Sequence, residues 1–199
     1  ARNTMTLHRP VLVTDELALI VRAGPARAHR RGAEFDLIGE VRVGGEVAWT
    51  GVSAYLARGA TAPEAAEAVV WQASDAEASA PVSEAPAMMP SQEWRLPADL
   101  GRRYAAVSGD VNPLHLSALA ARLFGFKRPI IHGMWTHARA LAALEPRLPG
   151  SYTVTVRFTK PILLPARVGF AAKADAARTL LEVQSRDGRP HMIGEVTPT

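Results

Sequence analysis

The chain has 199 residues, 48% of them apolar by count, enough to bury one sizeable core or two small, tightly joined ones. It has no cysteine, which excludes disulfide frameworks, thiol nucleophiles and cysteine-ligated metals; it also lacks a membrane-spanning apolar run and the apolar core of a secretory signal, so the cytoplasm is the default compartment. The formal net charge of +4 is modest, and the one basic cluster, "ARAHRRG" at 26–32, lacks the interleaved aromatics of a nucleic-acid surface, while a polyanionic small molecule such as a CoA phosphate stays compatible.

From Arg9 to Leu56 the text reads as strands: "RPVLVTDELALIVRA", then "AEFDLIGEVRV", the Gly44-Gly45 hairpin signal, and "EVAWTGVSAYL". Residues 59–90 shift to Ala, Glu, Ser and Pro and read as a linker, helical around "APEAAEAVVWQA". Beyond it, "EWRLPADLGRRYAAVSGD" predicts a short strand and a short helix ending at Ser108-Gly109. "NPLHLSALAARLFG" predicts one further helix, with Asn112 as N-cap, Pro113 at its first position and Gly125 just past its end.

"HGMWTHARALAALEP" predicts a third helix, long and apolar enough to lie buried against a sheet. Met134, His137, Ala138, Leu141 and Leu144 are expected on its buried face, and Pro146 stops it. "SYTVTVRF" alternates, with Tyr152, Val154, Val156 and Phe158 on one face. Strands "ARVGFAAKA" and "TLLEVQSR", an Asp187-Gly188 turn and "PHMIGEV" complete the sheet.

Laid together, the two ends show a repeat. "HRPVLVTDELALIV" resembles "TKPILLPARVGFAA", and "FDLIGEVRVGGEVAW" resembles "TLLEVQSRDGRPHMI". The chain opens without Met and almost directly in a strand, so residues preceding Ala1 are expected in the native protein.

Chemistry concentrates at 104–134. In "SGDVNPLHLS" a residue before proline is pushed out of the helical region, so Asp110 must sit in a bend. His115 falls in the first turn of the next helix, where the positive helix end disfavours imidazolium and should keep the ring neutral. The stretch is open to two readings: an Asx turn before a capped helix, or a carboxylate and imidazole holding one water between them. In "PIIHGMW" Gly133 either permits a tight strand-to-helix turn or leaves free N–H groups for an oxyanion. His132 and His137 read as packing or capping histidines, because no carboxylate sits at metal-ligand spacing with them, and no metal site is expected.

Tyr104, Ser108-Gly109-Asp110, Asn112-Pro113, Leu114 and His115, followed by "RPIIHGM", together resemble the signature of the MaoC-like, R-specific enoyl-CoA hydratase 2 family. The resemblance covers about residues 91–199. It implies an α+β hotdog fold, an antiparallel sheet wrapped around a long central helix. The repeat implies a double hotdog, with 1–58 as a degenerate or incomplete half, 59–90 as linker and 91–199 as the catalytic domain.

The implied reaction is syn addition of water to a trans-2-enoyl thioester, or the reverse dehydration. Asp110 and His115 would activate water and shuttle the proton, Asn112 would hold the pair, and the Gly133 amide would bind the thioester oxygen. Ser108, Tyr104, His132, Lys127, Arg128 and Arg157, with Lys160, are the residues expected on the substrate side, the basic ones meeting CoA phosphates. No cofactor is needed, since the thioester acidifies its own α-carbon. The expected partner is an acyl-CoA substrate, with neither nucleic acid nor membrane, in a homodimer or pseudo-dimer. An acyl-carrier-protein dehydratase and a non-catalytic hotdog subunit are the competing readings.

Overall fold

The computed structural model describes residues 2–61 and 88–199. The expected helix around 62–73, and with it most of the expected linker, lies outside the described residues. In chain order the elements are β1 (Arg2–Leu7), β2 (Leu17–His29), β3 (Gly32–Val43), β4 (Glu46–Arg58), β5 (Gln92–Leu96), α1 (Leu100–Ser108), α2 (Pro113–Leu116), α3 (Ala118–Leu123) and α4 (Gly133–Leu144). A 3-10 turn (Glu145–Arg147), β6 (Tyr152–Phe158), β7 (Ala166–Ala174), β8 (Thr179–Gln184) and β9 (Pro190–Pro198) follow.

The chain divides into two compact units. The first holds β1 to β4, Leu148–Arg157 and Glu195–Thr199; the second holds β5, the helices and Phe158–Gly194. In the first, the hydrogen-bonded order is β2-β3-β4-β1-β6. β1 runs antiparallel to both neighbours, with Thr4 opposite Val52 on β4 and Thr155 on β6. Thr4 and Thr155 share a buried hydroxyl–hydroxyl hydrogen bond of 3.2 Å, and Thr6 and Thr153 share another of 2.8 Å. Such cross-strand threonine pairs fix register on a face where unpaired hydroxyls would be costly. The β3–β4 hairpin closes at Gly44 and Gly45, whose φ of +59° and +86° belong to the left-handed region that glycine enters without strain.

One strand differs from expectation. No strand starts at Arg9; residues 8–16 turn instead, with Leu12 N–H donating to the Asp15 carboxylate at 2.8 Å, so that the strands on either side are Arg2–Leu7 and Leu17–His29. The Asx-type bond offers the backbone an alternative to a ladder, which Pro10 already weakens.

In the second unit the order is β9-β8-β7-β5. Val168, Phe170, Leu181 and Val183 form its core with Trp94 of β5. Trp94 stacks on Phe170 with centroids 4.9 Å apart and takes the Trp135 ring of α4 edge-on at 6.5 Å. These aromatic contacts seat α4 over the sheet.

The buried residues of α4 are Thr136, His137, Ala140 and Leu144. Of the expected face, His137 and Leu144 are buried, Met134 and Leu141 are half-buried and Ala138 is exposed, while Thr136 and Ala140 are buried in addition. No helix among the described residues is long and apolar enough to cross a membrane.

Candidate active site

Three short segments of the second unit meet at one place. Helix α1 ends at Gly109 in the left-handed conformation, φ +73°, with its N–H bonded to the Ala105 carbonyl at 2.9 Å. This C-cap turns the chain into the bend that carries Asp110. Ser108 Oγ accepts from the Asp110 N–H at 3.2 Å, and Asp110 Oδ1 accepts from the Asn112 N–H at 3.2 Å. Asn112 in turn caps α2, its side chain accepting from the Leu114 N–H, with Pro113 at the first helical position. Turn, cap and acid placement are thus one continuous arrangement.

The expected single helix over 112–125 is broken. Ser117 is extended, φ −134° and ψ 136°, and its hydroxyl caps a second short helix by accepting from Ala120 N–H. Serine competes well for backbone groups, so it starts a helix more readily than it continues one. Gly125 lies past the end with φ +82°, as expected.

His115 is half-buried, and its Nδ1 lies 2.8 Å from the Ile130 carbonyl oxygen. A carbonyl only accepts, so Nδ1 carries the proton and Nε2 presents its lone pair. The His115 pKa is lowered from 6.5, first by burial and further by His132, against the raising effects of the Ile130 carbonyl and the Asp110 carboxylate. The ring is therefore kept neutral, by another cause than the helix end. A helix of four residues has little dipole to offer, and desolvation dominates.

His132 is 2% exposed, and its ring stacks on His115 with centroids 3.7 Å apart and 24° between planes. Its Nε2 donates to the Asp110 backbone carbonyl at 2.9 Å and lies 3.8 Å from Asp110 Oδ2. The Tyr104 ring also packs on His132 in an edge-type contact, with centroids 5.0 Å apart and 63° between planes. Burial, then the Asp110 charge, raises the Tyr104 pKa, keeping the phenol neutral.

Asp110, whose side chain is 54% exposed, His115 and His132 each bring one ligand-type atom within 4.8 Å of the others. For His132 to give Nε2 to a metal it would have to break its bond to Asp110 and move the proton to Nδ1, which is buried without an acceptor. His132 Nε2 is thus committed to Asp110 in this arrangement, although the expectation that no carboxylate lies at ligand distance from this histidine does not hold.

Gly133 opens α4. The helix has no side-chain cap, and its first intrahelical bond is donated by Thr136 N–H to the His132 carbonyl. The amides of Gly133 and Met134 therefore point out of the positive helix end without a capping side chain. A Cβ at Gly133 would come within 3.1 Å of the Phe158 ring, so glycine also keeps this end close to Phe158.

The remaining expected residues are less tightly gathered. Lys127, Arg128 and Lys160 are exposed, with Arg128 donating to the Pro165 carbonyl at 3.5 Å. Arg157 is exposed near the end of β6, in the first unit. Two contributors escaped the sequence reading. Ile130 acts through its backbone oxygen, which has no sequence signature. Gly101, inside α1, packs so closely that a Cβ there would lie 2.2 Å from the His115 carbonyl oxygen. A glycine inside a helical pattern was the available signal.

A MaoC like domain model matches residues 67–189. The chain belongs to the MaoC-like family. Among curated MaoC-like relatives, 3-hydroxyacyl-thioester dehydratase X of Mycobacterium tuberculosis is 39% identical over 196 residues, which is 98% of this chain and 66% of that protein. The chain thus spans just under two thirds of that relative's length. The (R)-specific enoyl-CoA hydratase of Aeromonas caviae is 36% identical over 78 residues, 39% of this chain and 58% of the relative. The crystal structure of HtdX of M. tuberculosis superposes with a TM-score of 0.81 at 35% identity, covering 100% of this chain and 73% of that one. The antiparallel sheet with a few helices is thus the hotdog-like fold of MaoC neighbours.

Proposed function

We propose that the chain catalyses R-specific syn hydration of a trans-2-enoyl thioester to the 3-hydroxyacyl thioester, or the reverse dehydration. The observation that carries this reading is a neutral imidazole with a bare Nε2, close to a half-exposed carboxylate and to an uncapped helix N-terminus. His115 Nε2 takes a proton from water while the water oxygen bonds to C3 of the enoyl group. Asp110 accepts the water's other hydrogen bond and orients it. The C2–C3 π electrons move onto the thioester oxygen, where the Gly133 amide stabilises the enolate, and C2 is then protonated from the same face by the pair. Loss of one oxyanion donor typically costs about 3–4 kcal/mol, the scale of help expected from that amide. Asn112 keeps the bend in register.

Relatives named as a 3-hydroxyacyl-thioester dehydratase, an (R)-specific enoyl-CoA hydratase and a 3-hydroxybutyryl-CoA dehydratase support the reaction class. We take CoA as the carrier, with Lys127, Arg128, Arg157 and Lys160 as candidates for its phosphates and Ser108 and Tyr104 lining the approach. The fold reads as a double hotdog. Residues 1–58 form the degenerate half, 59–90 the linker and 91–199 the catalytic half, in a chain that works as a pseudo-dimer.

The test follows loss of the conjugated thioester absorbance of crotonyl-CoA. Asp110→Asn and His115→Ala are each expected to lower the rate by about 10²–10⁴-fold. Full activity in both variants would overturn the assignment.

A further inference from the structure

We propose that His132 is the positioning residue of the site, holding the Asp110 backbone through Nε2–H and fixing the plane of the His115 ring through face-to-face contact. The proposal rests on the reading above, in which Asp110 and His115 form the reacting pair.

Three observations carry it. His132 is 2% exposed, so its ring is not placed to touch substrate from solvent. The hydrogen bond of its ring, 2.9 Å from Nε2 to the Asp110 carbonyl, ties the N-cap of α4 to the bend that carries the acid. That bond also ties the acid's loop to the oxyanion end of α4, because the next residue is Gly133. His132 also contacts two rings, Tyr104 at 5.0 Å and His115 at 3.7 Å. The His115 ring is pinned along one edge by the Ile130 carbonyl and against one face by His132, which leaves its Nε2 with little rotational freedom. One buried side chain thereby sets the spacing of acid, base and oxyanion amide.

The groups facing the pair among the described residues are these. Asp110 and His115 meet His132 from the bend and α2, and Tyr104 meets it from α1. His132 Nδ1 is buried with no hydrogen-bond partner, consistent with a bare lone pair and a proton fixed on Nε2.

Two substitutions separate the two contacts. His132→Phe keeps a ring against His115 but removes the donor to Asp110. His132→Gln keeps an amide donor but removes the ring. With crotonyl-CoA, His132→Phe is expected to lose about 10²-fold in kcat with KM little changed, the size of effect that misplacing a reacting group produces. His132→Gln is expected to lose less, and the acid limb of its pH profile should move up as His115 becomes better solvated. Wild-type kcat and pH profile in both folded variants, or a loss confined to KM, would overturn the proposal.

Nitrogen-15 NMR of the histidine rings in the intact wild-type protein gives an independent reading, even if a variant fails to fold. The proposal requires His132 protonated at Nε2 and His115 at Nδ1; the opposite tautomer at either ring overturns it. Activity surviving in Asp110→Asn and His115→Ala would instead overturn the underlying reading, so the two failures are distinct.

Discussion

The same meander occurs twice in this chain, β1 to β4 and β6 to β9, and its two versions meet different surroundings. In the first, Leu17, Leu19, Ile20 and Val21 of β2 are 46, 68, 42 and 68% exposed. In the second, Val168, Phe170 and Ala171 of the equivalent β7 are 1, 2 and 1% exposed. The sequences are similar; the difference lies in what surrounds each strand. Beyond β7 lies β5, with Trp94 opposite Val168, and the Trp94–Phe170 stack carries the Trp135 ring of α4. Among the described residues β2 has a strand neighbour only on its β3 side. An alternating apolar strand therefore says that a face can be buried, whereas burial itself is decided by whether a helix and a strand arrive to cover it. Asp110, His115 and Gly133 all belong to the unit that holds the covered strands.

Four measurements can break or sharpen this contrast. The largest effect is expected at the aromatic stack, where Phe170→Ala should cost about 3–5 kcal/mol in denaturant unfolding. A cost below that of an exposed site would mean the covered half is not the stability core.

The next concerns His137, 0% exposed, whose pKa burial lowers from 6.5 to about 4. Above pH 6.5 neither folded nor unfolded chain protonates this ring. As the pH falls from 6.5 to about 4 the unfolded chain alone takes up the proton, so stability is lost across that window, by about 3 kcal/mol. His137→Leu should flatten the unfolding free energy between those pH values.

Gly101→Ala should lower kcat by about 10²-fold through displacement of His115, with circular dichroism close to wild type. The smallest effect belongs to the bare strand. Leu19→Ala should change stability by no more than about 0.5 kcal/mol.

Much of the site was legible because its residues are close in sequence and obey local rules. Gly109 as a C-cap, Asn112 as an N-cap, Pro113 at the first helical position and Gly125 past the end all follow from backbone preferences. The repeat was legible for a similar reason, since a strand–turn–strand pattern is local. What escaped depends on contacts between segments. Ser117 divides a helix whose apolar pattern runs through it, because its hydroxyl prefers the cap. The buried face of α4 includes Thr136 and Ala140 beside the expected His137 and Leu144, and an apolar pattern does not pick out a threonine. His132 reads as a packing histidine, and it does pack, but only the folded chain shows that it packs on His115. Gly101 is meaningful only through a backbone many residues away.

The four-residue helix that carries His115 has no buried residue of its own. So short a helix is not stable alone; it stays in place through Gly101, the Ile130 carbonyl, and Arg102, which donates to the Leu116 carbonyl at 3.2 Å. Its local opening is thus governed by a handful of contacts, far fewer than those holding the Trp94–Phe170 core. On heating, the proposed activity should therefore be lost at a lower temperature than the one at which the sheet unfolds.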